Sequence, residues 1–132
     1  RSKSSNEIFL PIAKEGIFNV DNKKIILRKV NKRQVKFSDN SNIEYVDWDL
    51  VPSVLYIRSW NQGDTFSPLG MNGTMKVSDF LTNSKIPLLD KRKILLLATK
   101  SDVIWICGMR ISDKYKITNE TSKYLKIEYV IE

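Results

Sequence analysis

The residues of this chain best suited to chemistry are its lysines and arginines, and the chemistry they offer is phosphate binding. The sequence has 22 Lys and Arg against 15 Asp and Glu, which gives a net charge of +7 at pH 7. Such an excess on a chain of 132 residues favours polyanions or anionic surfaces as partners over acidic proteins. Many unrelated domains are also basic, so charge alone leaves nucleic-acid binding and simple solubility equally open.

Catalytic chemistry has little support among the residue types. The chain has no histidine, the commonest general base, and its one cysteine, Cys107, has no histidine to activate it. It also lacks the Gly-x-x-x-x-Gly-Lys-Ser/Thr loop that cradles ATP phosphates. Asp47 and Asp49 would share one side of a strand as paired carboxylates, but a turn or cap role is favoured for them. We therefore expect this chain alone to catalyse no reaction.

Composition also suggests where the protein works. A single cysteine with the apolar neighbours Trp105 and Ile106 predicts a buried thiol and no internal disulfide, which fits a reducing, cytoplasmic setting. No apolar run approaches the ~18 residues of a membrane helix, and no secretory leader is visible, so no membrane partner is expected. Because the chain begins with arginine, we expect a fragment of a longer protein.

Residues 23–36 form a basic run of seven lysines and arginines with no acid between them. Lys24–Val30 and Gln34–Phe37 are typical of two strands, and Asn31–Arg33 would form the turn between them. In such a hairpin Phe37 would point inward, while Lys32 and Arg33 would project at the tip. The run then either forms a solvent-exposed face with no partner or forms a strand edge that binds the phosphates of a nucleic-acid backbone. The sequence leaves both roles open.

A glycine-rich segment, residues 63–87, is the most distinctive part of the chain. Gly63, Gly70 and Gly73 allow unusual backbone angles, and Pro68 fixes an extended approach to the second of them. The loop could offer backbone N–H groups to phosphates, or it could simply turn the chain tightly, which is the favoured reading. Asp64 is expected to cap a local turn.

A short helix, Lys76–Asn83, is predicted after this loop, with Val77, Phe80 and Leu81 on its apolar face. Pro87 ends it, because the residue before a proline is pushed out of helical space. One more helical turn is possible near 88–93. Alternating or apolar runs predict strands at 43–48, 54–58, 94–99, 103–107 and 122–131, with a hairpin between the third and fourth. Many short strands with one or two short helices indicate an α+β, mostly-β domain.

The segment 63–87, with Arg58 upstream and Trp105–Ile111 downstream, resembles the C-terminal domain of the tRNA(Ile)-lysidine synthetase family. The likeness runs from about Asp47 to Thr121, so we divide the chain into a β-rich segment at 1–46 and the family domain at 47–132. The positions that carry the motif are Gly63, Asp64, Pro68, Gly70, Gly73, Asp79, Phe80, Pro87 and Gly108. The resemblance implies a compact sandwich-like domain, similar to one in the β subunit of phenylalanyl-tRNA synthetase.

The family implies a set of RNA contacts. Arg58, Lys76, Lys85, Arg92 and Arg110 each fall where the family pattern has a basic residue. With Lys32 and Arg33 from the basic run, which lie outside the resemblance, they are the tRNA-binding candidates. Ion pairs with Asp64, Asp79, Asp90 or Asp113 are the alternative role. The family often has basic residues where this chain has Thr65 and Ser67. The lower positive charge weakens the case that the glycine-rich loop itself binds phosphate.

The resemblance also implies a function. The parent enzyme uses ATP to join lysine to the wobble cytidine of the CAU-anticodon isoleucine tRNA. ATP with magnesium and lysine would bind in a catalytic N-terminal domain absent from this chain, and no cofactor is expected here. This domain would hold the tRNA acceptor stem. The alternative is a structural or dimerisation module with little RNA contact, so a homodimer remains possible.

Overall fold

The computed structural model describes residues 7–132 and shows two antiparallel β-sheets packed face to face. In chain order the strands are β1 (Phe9–Ala13), β2 (Gly16–Val20), β3 (Lys23–Val30), β4 (Ile43–Asp47), β5 (Val54–Ser59), β6 (Thr65–Phe66), β7 (Met75–Lys76), β8 (Leu95–Ala98), β9 (Val103–Ile106), β10 (Arg110–Ile111) and β11 (Tyr124–Ile131). The helices are α1 (Val77–Asn83) and α2 (Leu88–Lys91). Within the described residues, no helix is long and apolar enough to cross a bilayer.

One sheet, sheet A, has the order β1-β5-β8-β9-β10, and the other, sheet B, has the order β2-β3-β11-β4. Strands β6 and β7 form a separate two-stranded ribbon. Both sheets contain strands from residues 9–47 and from later parts of the chain, since β1 pairs with β5 and β11 pairs with both β3 and β4. The two ranges separated in the sequence analysis therefore build one sandwich.

The main core lies between the two sheets. Strand alternation sends every second side chain inward, so Leu55, Leu97 and Trp105 of sheet A face Leu27 and Ile127 of sheet B in one cluster. Trp105 is fully buried. Cys107 belongs to the same cluster, as predicted, and burial raises the pKa of its thiol, which keeps the thiol protonated and unreactive.

A second apolar cluster covers the outer face of sheet A. The register places Arg58, Leu96, Ile106 and Arg110 in one row across strands β5, β8, β9 and β10. Helix α1 packs over the two central, apolar positions of this row with Phe80 and neighbouring side chains. The two arginines therefore stand at either side of α1, three strand spacings or about 14 Å apart.

The mostly-β, sandwich-like α+β fold is confirmed, and so is the short helix that ends before Pro87. The strands expected near 43–48, 54–58, 94–99, 103–107 and 122–131 are present, and β8 and β9 form the expected hairpin.

The hairpin predicted in the basic run is wrong. Strand β3 pairs with β2 and β11, and residues 35–42 contain no strand. Lys32–Gln34 form a 3-10 turn instead, closed by Asn31 through a capping box with Gln34. Phe37, expected inside, is 79% exposed. The capping interaction ends β3 and directs the chain out over the sheet, so the run never folds back on itself.

Gly108 offers a local test of the packing between the two sheets. Its φ is +78°, and an added Cβ would lie 2.8 Å from Oδ1 of Asn42 and 3.0 Å from the Tyr129 ring. We expect Gly108→Ala to lower the free energy of unfolding by about 2 kcal/mol, through left-handed strain and crowding together. Gly73→Ala is the control, because its φ is +91° and it meets nothing within 4 Å, so only the strain of about 1 kcal/mol applies. Urea denaturation of both variants measures the difference, and equal losses would show that the close approach costs nothing.

Candidate nucleic-acid interface

The glycine-rich loop is held by its own hydrogen bonds. The carboxylate of Asp64 accepts from the Asn61 N–H at 2.6 Å, and the Asp64 N–H donates to the Asn61 carbonyl at 3.1 Å, so Asp64 does close a local turn. Its carbonyl accepts from the Val77 N–H at 2.9 Å. This bond ties the start of α1 to the loop, and hence the position of the helix to the turn.

The far side of the loop is fixed to the strand β10 region. The Leu69 N–H donates to the Ile111 carbonyl at 3.0 Å, and the Gly70 N–H donates to the Asp113 carboxylate at 3.3 Å. The hydrogen bond from Gly70, followed by that from Lys116, lowers the pKa of Asp113. The Leu69 and Gly70 amides are therefore engaged within the protein, which supports a turning role for Gly70 over a phosphate cradle.

Arg58 is engaged in the structure as well. Its guanidinium donates two hydrogen bonds of 2.9 Å to the two carboxylate oxygens of Asp64, and a third of 3.1 Å to the Ser59 carbonyl. Both side chains of the pair are only 16% exposed. This bidentate pair is the ion-pair alternative that the sequence left open for Arg58, and it fastens the glycine-rich loop to β5.

Lys85 closes helix α1 in an unusual conformation. Its N–H donates to the Thr82 carbonyl at 2.9 Å, and the Ile86 N–H donates to the Leu81 carbonyl at 3.2 Å, the two bonds of a Schellman motif. The left-handed position of that motif usually holds glycine, yet here it holds Lys85 with φ +60°. The side chain is exposed. Pro87, two residues after Lys85, is the N-cap residue of α2.

Lys76 occupies the other end of α1, also against local preference. It is the N-cap residue, is exposed, and makes no side-chain cap hydrogen bond. Ser, Thr, Asp or Asn is favoured there, and a cation is unfavourable at the positive end of the helix dipole. Asp79 in the first turn offsets part of that charge. At both ends of α1, therefore, another residue type would stabilise the helix better than the lysine that is present.

Arg110 lies against the same helix. Its guanidinium is 5.5 Å from the centroid of the Phe80 ring, and Phe80 in turn packs edge-on against Phe66. Arg110 is exposed. Burial raises the pKa of Glu44 on β4, and the charge of Arg110 opposes that rise. Lys76, Lys85 and Arg110 thus surround α1, and we call them the α1 cation group.

Two further sets of candidates lie apart from this group. Arg92 is exposed at the end of α2, a helix joined to α1 by the Lys91 ammonium, which donates to the Thr82 hydroxyl at 2.9 Å. Lys32 and Arg33 are exposed beyond β3, in sheet B, while α1 covers sheet A. Among residues 7–132, no ion pair with a carboxylate involves any of the three or the α1 cation group.

Sequence reasoning missed cations that only strand register brings together. Lys126 on β11 stands directly opposite Arg28 on β3, and opposite Tyr45 on β4. At the end of sheet B, the Lys14 and Lys29 ammonium groups lie 3.9 and 4.9 Å from the centroid of the Trp48 ring. Alternation along 122–131 could have shown that Lys126 faces outward, but not which residue it faces.

Comparison with known proteins gives the family. The family described as "TilS substrate C-terminal domain" matches residues 55–129, more than half of the chain. The chain belongs to this family. The tRNA(Ile)-lysidine synthase of Caldanaerobacter subterraneus subsp. tengcongensis is 38% identical over 96 residues, which cover 73% of this chain and 21% of that protein. The enzyme of the same name from Clostridium acetobutylicum is 36% identical over 98 residues, covering 74% and 21%. The chain therefore spans about a fifth of the relatives it matches.

Solved structures agree on the fold of this TilS C-terminal domain. A crystal structure of a TilS C-terminal domain superposes with a TM-score of 0.82 at 17% identity, covering 95% of this chain and 97% of the other. An N-terminal fragment of the phenylalanyl-tRNA synthetase β subunit from Pyrococcus horikoshii gives a TM-score of 0.54 at 18% identity, covering 66% and 27%. The expected likeness to that synthetase subunit is confirmed at the level of the fold.

Proposed function

We propose that this domain binds tRNA through the α1 cation group, Lys76, Lys85 and Arg110, with a further contact from Arg92 on the adjoining helix α2. The observation that carries the proposal is the placement of lysine at both ends of α1, where the backbone favours other residues. A residue in the left-handed region costs about 1–2 kcal/mol unless it is glycine. Strain of this kind is often kept at functional sites, and we infer from it, together with the cation at the N-cap, that the exposed side chain of Lys85 has a function.

The geometry of the group suits an RNA backbone. Helix α1 has seven residues and is about 10 Å long, so Lys76 and Lys85 stand at its two ends, and Arg110 lies at one side against Phe80. All three are exposed. A-form RNA is recognised mainly by its shape, phosphates and 2′-hydroxyls, which a fixed group of cations can follow without reading bases.

The family supports a proposal for the reaction of the parent protein. The relatives are tRNA(Ile)-lysidine synthases, of which this chain spans about a fifth. The parent enzyme joins lysine to the wobble cytidine of the CAU-anticodon isoleucine tRNA in the cytoplasm. ATP with magnesium and lysine act in its catalytic N-terminal domain, and that domain is the second partner of this one. The present domain holds the acceptor stem, far from the anticodon.

Distance from the reaction is an advantage for such a domain. Two modules tethered to one tRNA bind it with an effective concentration set by the tether, so weak contacts at the acceptor stem strengthen binding of the whole substrate. The domain then needs affinity for an RNA helix but no catalytic group, which agrees with its residue types.

A structural or dimerisation module is the second candidate. The exposed leucines of α2, Leu88 at 67% and Leu89 at 69%, are the observation in its favour, because neighbouring exposed apolar side chains mark interaction surfaces. It predicts a salt-insensitive oligomer with little affinity for tRNA. Sedimentation at two salt concentrations distinguishes this outcome from RNA binding.

The test is fluorescence anisotropy of the 132-residue chain with three RNAs: the CAU-anticodon isoleucine tRNA, its acceptor-stem minihelix and an unrelated tRNA. We expect the minihelix to bind about as tightly as the whole isoleucine tRNA. The unrelated tRNA should bind through the same contacts, because phosphates of its acceptor stem carry no sequence information. Three phosphate contacts would weaken binding roughly 40-fold between 50 and 200 mM salt. Absence of binding at low salt would reject the proposal in favour of the structural module.

A further inference from the structure

The part of the chain that the α1 proposal leaves unexplained is the basic run and the loop that follows it. Lys32, Arg33 and Lys36 are exposed, and Phe37 next to them is 79% exposed, the highest value among the large apolar side chains of the described residues. A solvent-exposed aromatic ring beside cations is suited to stacking on a nucleic-acid base, since every base has a π-face.

The ring of Phe37 is held in place on the outer face of sheet B. Its centroid is 6.2 Å from that of Tyr45, at an interplanar angle of 73°. Tyr45 is buried beneath it, and its hydroxyl donates to the Gln34 carbonyl at 3.4 Å. These contacts fix the loop over the sheet while one face of the Phe37 ring stays accessible, so the ring forms a platform.

Cations continue from this platform across the sheet. The row that contains Tyr45 continues through Lys126 to Arg28, one strand spacing of roughly 4.8 Å at each step. Like charges placed directly opposite each other destabilise a sheet, and no ion pair involves either residue in the described chain. A bound anion would relieve that repulsion.

Acidic residues near the row do not neutralise it. Asp39 is exposed two residues beyond Phe37, and Glu128 is the neighbour of Lys126 on the same face of β11. Asp47 is committed elsewhere, since its two oxygens accept from the Asp49 N–H and the Thr121 hydroxyl. Cations therefore outnumber acids on this surface, whose cations are Arg28, Lys32, Arg33, Lys36 and Lys126.

We propose that this "Phe37 surface", formed by Phe37, Arg28, Lys32, Arg33, Lys36 and Lys126, binds unpaired RNA nucleotides by stacking a base on Phe37 and pairing phosphates with the cations. The choice of RNA as ligand rests on the proposed function. The site is separate from the α1 cation group, because it lies on the outer face of sheet B while α1 covers the outer face of sheet A. The domain thus has one surface for helical RNA and another for single strands.

Phe37→Ala tests the stacking contact, with a labelled single-stranded RNA of about ten nucleotides and a blunt RNA duplex as probes. Loss of one stacked base weakens single-strand binding by about 5- to 150-fold, while duplex binding stays unchanged. Phe9→Ala is the matched control, because Phe9 is 66% exposed on the other sheet and stacks on Tyr56, with centroids 4.9 Å apart. It changes neither affinity.

Phe37→Trp supplies a direct readout. It keeps a stacking face, so it retains affinity, and the single-stranded RNA quenches the fluorescence of the new tryptophan, whereas tripolyphosphate, which has no base, does not. Equal single-strand affinity of Phe37→Ala and the natural chain would overturn the inference. Weaker self-association of Phe37→Ala, without an effect on RNA, would also overturn it in favour of a protein contact.

The outcome separates this inference from the α1 proposal. Single-strand binding that depends on Phe37 supports the surface even if the minihelix fails to bind. Minihelix binding together with a Phe37-independent single-strand affinity overturns this inference alone. If neither RNA binds, both proposals are rejected.

Discussion

Replacing Arg58 by alanine is expected to lower the free energy of unfolding by about 3 kcal/mol. The guanidinium makes three hydrogen bonds, two of them to Asp64, and the pair is largely shielded from water at 16% exposure for each side chain. Removal of Arg58 leaves the Asp64 carboxylate with the Asn61 N–H but without its two hydrogen bonds from the guanidinium, which is more costly than the net value of the pair. Urea denaturation followed by circular dichroism measures the loss.

A double-mutant cycle tells whether the pair is responsible. We expect Asp64→Asn to cost about 2 kcal/mol, and the double variant to cost less than the two single losses added together. Arg58→Lys keeps the charge but cannot donate two parallel bonds, so about half of the loss should remain. Additive single losses would show that Arg58 acts through packing rather than through Asp64. Titration of the folded Arg58→Ala variant with RNA, which removes the cation, then shows whether this residue also contacts tRNA.

Much of the fold could be predicted because it depends on local patterns. Alternation along 43–48 and 122–131 marks half-buried strands, and the apolar face of Val77, Phe80 and Leu81 marks α1. The partners of each strand are a different matter. Strand β11 pairs with β3 almost 100 residues away, while the neighbouring segment after β3 stays unpaired. The basic run after β3 has the pattern of a hairpin. The capping box of Asn31 and Gln34 depends on equally local sequence, and it forms a 3-10 turn there instead of a hairpin turn.

The candidate site likewise has features that the sequence predicts and features that only the folded structure determines. Residue types identified the cations, but the role of each depends on distances that sequence does not contain. Arg58 was grouped with the RNA candidates, and its bidentate pair with Asp64 becomes evident only when the loop is folded. The left-handed angle of Lys85 could not be foreseen either, because glycine is the residue that predicts it. Phe37 was expected inside because its strand partner was assumed.

The α1 cation group can be tested with substitutions that separate binding from stability. In the double variant Lys76→Ser/Lys85→Gly, serine is a favoured N-cap and glycine relieves the left-handed strain, so the free energy of unfolding should rise by about 1–2 kcal/mol. Minihelix affinity should fall about 30-fold at 0.1 M salt, and the slope of log K against log salt should become shallower by nearly 2, the value for two lost phosphate contacts. Anisotropy titrations over a salt series and urea denaturation provide the two measurements.

The double variant is expected to be more stable and yet to bind the minihelix more weakly. This combination is decisive, because replacing lysines that only support the fold would not raise the free energy of unfolding. Asp21→Gly controls for the relief of strain, since Asp21 also has a positive φ, +54°, but belongs to the turn between β2 and β3. Lys100→Gln controls for loss of charge at an exposed position in the turn between β8 and β9. Neither control should change the salt slope by as much as 1. If the double variant gains stability and binds the minihelix as before, the lysines at the ends of α1 do not contact RNA, and the exposed leucines of α2 become the surface to test next.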